Sequence, residues 1–160
     1  MDKINLLIVD DEVDFLNSIT KSLEVRGFNV VAVDRGEKAI AEAKKNKIDI
    51  ALVDLKMPGI DGEETLRRLK KEHEWMEVVI LTGHGSIESA VECTQSGAYK
   101  YLQKPCELEV LLEVLKDAYK AKVMNKKKIN EEKMNEMLKA AQGSTAREIL
   151  ERLREIEKEA

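Results

Sequence analysis

Only two cysteines, Cys93 and Cys106, and two prolines, Pro58 and Pro105, occur in 160 residues. Two thiols without the spacing of metal ligands exclude a disulfide framework and a structural zinc site, and they fit a reducing compartment. No apolar run approaches the roughly 20 residues that span a bilayer. The opening Met1-Asp2-Lys3-Ile4-Asn5 lacks the basic stretch followed by an apolar core that marks an export signal. The sequence therefore reads as a soluble, cytoplasmic protein with no membrane partner. Also missing are an ATPase motif of the G-x-x-x-x-G-K type, a helix-turn-helix segment and any catalytic output motif. Charge of one sign is scarce as well: 27 Lys+Arg face 31 Asp+Glu, for a net of −4. The acidic excess lies in the first 120 residues and the last 40 are mildly basic. Lys126-Lys127-Lys128 is the one basic cluster there and reads as a solvated helix face, so no direct nucleic-acid contact is expected.

What is present is alternation. Short apolar runs near Asn5 to Val9, Asn29 to Val33, Ile48 to Val53, Glu77 to Leu81 and Tyr99 to Gln103 read as strands. Helical segments near Val13 to Arg26, Gly36 to Lys45, Gly62 to Glu72, Ser86 to Ser96 and from Glu107 onward separate or follow them. Leu16, Ile19 and Leu23 recur at helical spacing in the first helix, as do Leu108, Leu111, Leu112, Leu115 and Tyr119 in the last. Five βα units with continuously apolar strands predict an α/β domain, a doubly wound five-stranded parallel sheet with helices on both faces. Gly27, Gly97, Met57-Pro58-Gly59 and Asp61-Gly62 punctuate the boundaries.

Each strand but the second leads to polar chemistry. Leu6-Leu7-Ile8-Val9 leads to Asp10 and Asp11, Leu52-Val53 to Asp54, Ile80-Leu81 to Thr82, and Leu102-Gln103 to Lys104. If the strands are parallel, one sheet edge gathers all five groups, and that edge is where open parallel sheets bind ligands. Any one of these residues has an ordinary explanation. Aspartates cap helices, a threonine before glycine makes turns, and a lone lysine is usually solvated. Their joint placement points instead to a phosphoryl-transfer pocket. Three carboxylates suit a hard, partly hydrated Mg2+, Asp54 can act as a nucleophile, and Lys104 with the Thr82 hydroxyl can stabilise charge on the transferring group.

The motifs Leu7-Ile8-Val9-Asp10-Asp11-Glu12, Ala51-Leu52-Val53-Asp54-Leu55-Lys56-Met57-Pro58-Gly59-Ile60-Asp61-Gly62, Leu81-Thr82-Gly83-His84-Gly85 and Tyr101-Leu102-Gln103-Lys104-Pro105 together resemble the receiver domain of two-component response regulators. The resemblance covers about residues 3 to 122. It implies a flavodoxin-like receiver in which Asp54 takes a phosphoryl group from a sensor histidine kinase. It also implies that Asp10, Asp11 and Asp54 hold Mg2+ with the backbone carbonyl of Lys56, and that Lys104 contacts the phosphate. Thr82 and Tyr101 match the family's coupled switch pair, which would remodel the face built from the fourth helix, fifth strand and fifth helix. A cis peptide before Pro105 and a place for His84 at the pocket mouth follow from the same likeness. On this reading the protein is a phosphoacceptor that promotes its own phosphorylation and dephosphorylation, and not an enzyme in the ordinary sense.

Residues 1–122 thus form the expected receiver domain and 123–160 a helical extension. Met134, Met137, Leu138 and Ala141 make one short apolar stripe. Gln142-Gly143-Ser144 interrupts it, and Thr145-Ala146-Arg147-Glu148 reads as a capping-box start for another helix. Ala146, Ile149 or Leu150, Leu153, Ile156 and Ala160 then form a seam of barely two heptads, suited to a short coiled coil or to docking. The leading expectation is a stand-alone receiver acting on a downstream protein partner or on itself as a homodimer through these helices. The N-terminal receiver part of a longer ATPase-linked transcriptional activator is the alternative. A metal-dependent small-molecule phosphatase is disfavoured because Asp10-Asp11-Glu12 lacks an Asp-x-Asp spacing.

Overall fold

A computed structural model describes residues 3–140 and 146–159. Eleven elements follow one another among them: β1 (Asn5–Val9), α1 (Val13–Val25), β2 (Asn29–Val33), α2 (Gly36–Lys45), β3 (Ile50–Val53), α3 (Gly62–Glu72), β4 (Glu77–Thr82), α4 (Ile87–Gln95), β5 (Lys100–Gln103), α5 (Leu108–Ala140) and α6 (Ala146–Glu159). All strand pairs are parallel, in the order β2-β1-β3-β4-β5. The fold is the doubly wound α/β sheet that the alternation predicts.

Strand geometry divides the apolar runs between two cores, because successive side chains point to opposite faces. Leu7, Val9, Ala51, Val53, Val78 and Ile80 meet Ala39 and Ala43 of α2, Leu66 and Leu69 of α3, and Cys93 of α4. Leu6, Ile8, Ile50, Leu52, Val79 and Leu81 meet Leu16 and Leu23 of α1 and Leu111, Leu115 and Ala118 of α5. Helices on both faces explain why β1, β3 and β4 read as unbroken apolar runs. The flanking strands β2 and β5 are only partly covered. Expected and observed bounds differ at two places that matter. β3 begins at Ile50; Asp49 just before it accepts the Asn5 amide through its side chain at 2.8 Å and donates its own amide to the Asn5 carbonyl at 2.8 Å. Thr82 is the last residue of β4 rather than the residue after it, because the ladder to β5 extends to the Thr82 and Gln103 pair.

Helix starts follow local chemistry. Asp61 caps α3 by accepting the Glu64 amide at 2.9 Å. Ser86 caps α4 through a reciprocal box with Ser89. Gly62 stands where a Cβ would lie 2.2 Å from the Asp54 carbonyl oxygen, so only glycine lets α3 begin that close to the end of β3.

The chain divides into two units, Met1–Lys120 and Ala121–Ala160. In the second, α6 buries Ile156 and leaves Leu150 55 % exposed, with Leu153 between these extremes. Lys133 lies 3.4 Å from Glu159. The apolar seam is therefore unevenly covered within one chain. Met134 and Leu138 are also exposed. Ala141, Gln142-Gly143-Ser144, Thr145 and Ala160 lie outside the described residues, as do the side chains of Ala146, Arg147 and Ile149. No described helix is long and apolar enough to cross a membrane.

Candidate functional site

β1 and β3 are neighbours although β2 lies between them in sequence, so the chain reverses its winding at this pair and leaves a crevice beyond the strand ends. The register fixes what lines it. Val9 pairs with Val53, and the Asp54 amide donates to the Val9 carbonyl at 3.0 Å, so the residues that follow each strand emerge side by side. Those residues are Asp10-Asp11 and Asp54. One carboxylate oxygen from each of the three lies within 4.8 Å of the others. Asp10 and Asp54 are buried and Asp11 is exposed.

Backbone groups hold two of these acids in place. The Glu12 amide donates to Asp10 Oδ1 and the Leu55 amide to Asp54 Oδ1, each at 2.9 Å. The Asp54 carboxyl is pushed above its ordinary range, chiefly by burial; the neighbouring Thr82 hydroxyl opposes that shift, the Asp10 charge adds to it, and Lys104 and the Leu55 amide oppose it. Thr82 is fully buried and also accepts the His84 amide at 3.1 Å.

Lys104 reaches the acids from β5. Its amide donates to the Thr82 carbonyl at 2.9 Å, and the peptide to Pro105 is cis. The ammonium sits 2.6 Å from Asp10 Oδ2 and 3.7 Å from Glu12 Oε1, above the Phe15 ring at 4.0 Å from its centre. A cavity of about 610 Å³ opens beside the acids, lined among others by Asp11, Lys56, Asp61, Glu63, His84 and Ser89. His84 is exposed at its rim. Tyr101 is half-buried, packs against the core that holds α4, and meets the Ser89 hydroxyl at 2.9 Å.

Asp10, Asp11, Asp54, Thr82 and Lys104 are thus gathered at one edge, with Lys56 lining the adjoining cavity and Tyr101 on the neighbouring strand. Glu12, Phe15, Gly85 and Ser89 are additions from the structure. Phe15 had no distinguishing signal in the sequence, since an aromatic residue on an amphipathic helix reads as core. Ser89 had none, because its role depends on where β5 places Tyr101.

The donor set fits a hard cation. It consists of carboxylate oxygens, two of them buried close together, and it has an open side toward a solvent-filled cavity. A doubly wound sheet with an oxygen-rich, cation-sized cluster at its winding reversal defines the class of protein. Within that class the chain belongs to the response regulator receiver domains, whose family model matches residues 6–116. The chain is 34 % identical over 114 residues to the transcriptional regulatory protein GlrR of Escherichia coli K12, covering 71 % of this chain and 26 % of that one. It thus spans about a quarter of the length of such curated relatives. A CheY-like receiver domain protein from Methanospirillum hungatei superposes with a TM-score of 0.75 at 29 % identity, over 78 % of this chain and 99 % of that one. The CheX-CheY-BeF3-Mg complex from Borrelia burgdorferi gives 0.68 at 27 % identity, over 72 % and 89 %.

Proposed function

We infer that Asp54 is the phosphoacceptor of this two-component receiver and that a sensor histidine kinase is its donor. The observation that carries the reading is the position of Asp54: a buried carboxylate one strand from Asp10, between the Thr82 hydroxyl and the Lys104 side of the pocket. An Asp54 carboxylate oxygen attacks phosphorus, the bond from phosphorus to the donor's imidazole nitrogen breaks, and that nitrogen keeps the electron pair and takes up a proton. The product is an acyl phosphate.

Asp10, Asp11, Asp54 and the Lys56 carbonyl would hold Mg2+, which supplies charge neutralisation for the approaching phosphoryl oxygens. Support comes from the fit of the oxygen cluster and from the magnesium named in the CheX-CheY complex. With Asp10 serving the cation, Lys104 is free to turn from Asp10 to the phosphoryl group. The Thr82 hydroxyl, beside Asp54, would donate to a phosphoryl oxygen in the same place. Tyr101 then couples that bond to the α4, β5 and α5 face, where Ile87, Val91, Tyr99 and Val110 stand exposed for a protein partner.

Residues 1–122 act as the receiver and 123–160 as a helical extension that supports self-association or docking. A second reading, the receiver part of a longer transcriptional activator, is favoured by the relatives, which are named as transcriptional regulators and of which the chain covers about a quarter. Incubation with acetyl phosphate and Mg2+ followed by intact mass measurement tests the central reading. One hydroxylamine-sensitive phosphate that is lost in Asp54→Asn is expected. Multiple-turnover hydrolysis of unrelated phosphomonoesters without a stable adduct overturns it.

A further inference from the structure

The N-terminus of α4 and the phenol of Tyr101 share one atom, the Ser89 hydroxyl oxygen. Ser89 is the third residue of α4 and Ser86 its cap. The Ser89 amide donates to Ser86 Oγ at 3.0 Å, and the Ser86 amide donates to Ser89 Oγ at 2.9 Å. Glutamate or glutamine usually fills this third position in a capping box. Serine is shorter, and here its hydroxyl has three further neighbours, the Ser86 carbonyl at 3.0 Å, the Ser86 hydroxyl at 3.2 Å and the Tyr101 hydroxyl at 2.9 Å. A serine hydroxyl has one proton and two acceptor lone pairs. The carbonyl can only accept, and the Ser86 amide fills one lone pair. A remaining valence of Ser89 is met by the Tyr101 hydroxyl at 2.9 Å, with the Ser86 hydroxyl the more distant neighbour at 3.2 Å. The Ser89 and Tyr101 hydroxyls are thus bonded, and either of the two can be the donor.

Gly85 makes room for this arrangement. A Cβ there would lie 2.0 Å from the Tyr101 hydroxyl oxygen and 3.0 Å from the ring carbon that carries it. The missing side chain belongs to the loop between Thr82 and Ser86, and one residue before it the His84 amide is bonded to Thr82 Oγ1. One short segment therefore seats the tyrosine, carries the threonine's contact and ends in the α4 cap.

We propose that Ser89 is the positioning residue through which Tyr101 sets the order of the first turn of α4, with Gly85 as the gap that admits the phenol. Its link to phosphate rests on the assignment of Asp54 above; its link to Tyr101 does not. When Tyr101 occupies the Gly85 gap, its hydroxyl bonds Ser89 and the first turn of α4 is tied to β5. When Tyr101 leaves, Ser89 keeps the cap and loses the bond that ties α4 to β5.

Amide hydrogen exchange on the full chain, without phosphodonor, tests the Tyr101 link. The Ala90 amide, which donates to the Ser86 carbonyl at 3.0 Å, reports the first turn. Tyr101→Phe keeps the ring and the capping box and should speed its exchange about fivefold, the scale of one net hydrogen bond. Gly85→Ala should do the same with the phenol still present. Ser89→Thr, which retains the hydroxyl, should match the parent. Adding Tyr101→Phe to Ser89→Ala should change nothing further, the non-additivity expected of partners in one bond. Unchanged exchange in Tyr101→Phe, or effects of the two substitutions that multiply, overturns the proposal. With acetyl phosphate and Mg2+ present, Ser89→Ala should still gain the Asp54 phosphate by mass and lose the change in α4 exchange that the parent shows. A parent-sized change in that variant overturns the proposed relay. A parent chain that takes no phosphate defeats the Asp54 assignment instead, and the phosphate-free comparison still decides the role of Ser89.

Discussion

Lys104 Nζ lies 2.6 Å from Asp10 Oδ2, a nearly buried ion pair that joins the last strand of the sheet to the first. The pair offsets part of the repulsion among Asp10, Asp11 and Asp54, so its lysine is a structural counter-ion before it is anything else. Removing one partner of such a pair leaves an uncompensated charge. Lys104→Met should therefore cost about 3 kcal/mol of stability in metal-free buffer. Mg2+ at millimolar concentration should recover more stability in this variant than in the parent, as ligand linkage requires when a cation substitutes for the lost ammonium. Urea melts with and without Mg2+ check both expectations.

Asp54→Asn should stabilise the metal-free protein by about 1 kcal/mol, the usual scale of relieving an unfavourable charge. The asparagine carbonyl can still accept the Leu55 amide, so the packing survives. The gain should vanish when Mg2+ is added to both proteins. A fall in melting temperature in the metal-free comparison would contradict the expectation.

Glu63 of α3 is held above the ordinary glutamate range, first by burial and next by the neighbouring Glu92 carboxyl of α4, with Asp61 adding to the shift and Arg67 opposing it. The folded protein binds this proton more tightly than the unfolded chain. Its contribution to stability is accordingly complete below the ordinary glutamate pKa of 4.5 and is lost as pH rises through the raised value. Glu63→Gln should be more stable than the parent at pH 7, and the difference should shrink as pH falls toward 4.5. Paired denaturation curves across that interval report it.

Cys93 is fully buried among α3, α4 and β4 side chains, and burial with the nearby Glu63, Glu92 and Asp61 charges pushes its thiol up to about 11. Only the thiolate reacts with disulfide reagents. At pH 8 one equivalent of thiol, from the half-buried Cys106, should react with a disulfide reagent in the native state. The second should appear only with denaturant, at the unfolding rate.

Truncation after Lys120 should leave a cooperatively folding receiver, since both cores around the sheet are built from residues up to Tyr119. Light scattering should show any self-association of the full chain lost with residues 121–160, whose exposed Met134, Leu138 and Leu150 supply the apolar surface. A dimer that persists in the truncated form would place the contact on the receiver.

Much of this was legible in the sequence, because parallel strands buried on both faces advertise themselves as apolar runs and the polar residue ending each run is conspicuous. The same logic located the acidic cluster of Asp10, Asp11 and Asp54, since register carries adjacent strand ends to one place. It misplaced the β4 boundary by one residue, as threonine suits a strand as well as a turn. The partners of Lys104 beyond Asp10 were hidden, because a phenylalanine on an amphipathic helix reads as core whether or not an ammonium rests on it. Ser89 and Gly85 were hidden more deeply. Neither has a pattern of its own, and both acquire meaning only when β5 brings a phenol across from another part of the chain.

The pairing of Val9 with Val53 has one more consequence. Neighbouring strands lie about 4.8 Å apart whatever their side chains, so the distance between Asp10 and Asp54 is measured by the peptide backbone. The sheet serves as a ruler. Mutations that reshape the helices, the loops or the distal helical segments leave its graduation alone, so sequences can drift widely in what they control while the gap between the two carboxylates keeps its width.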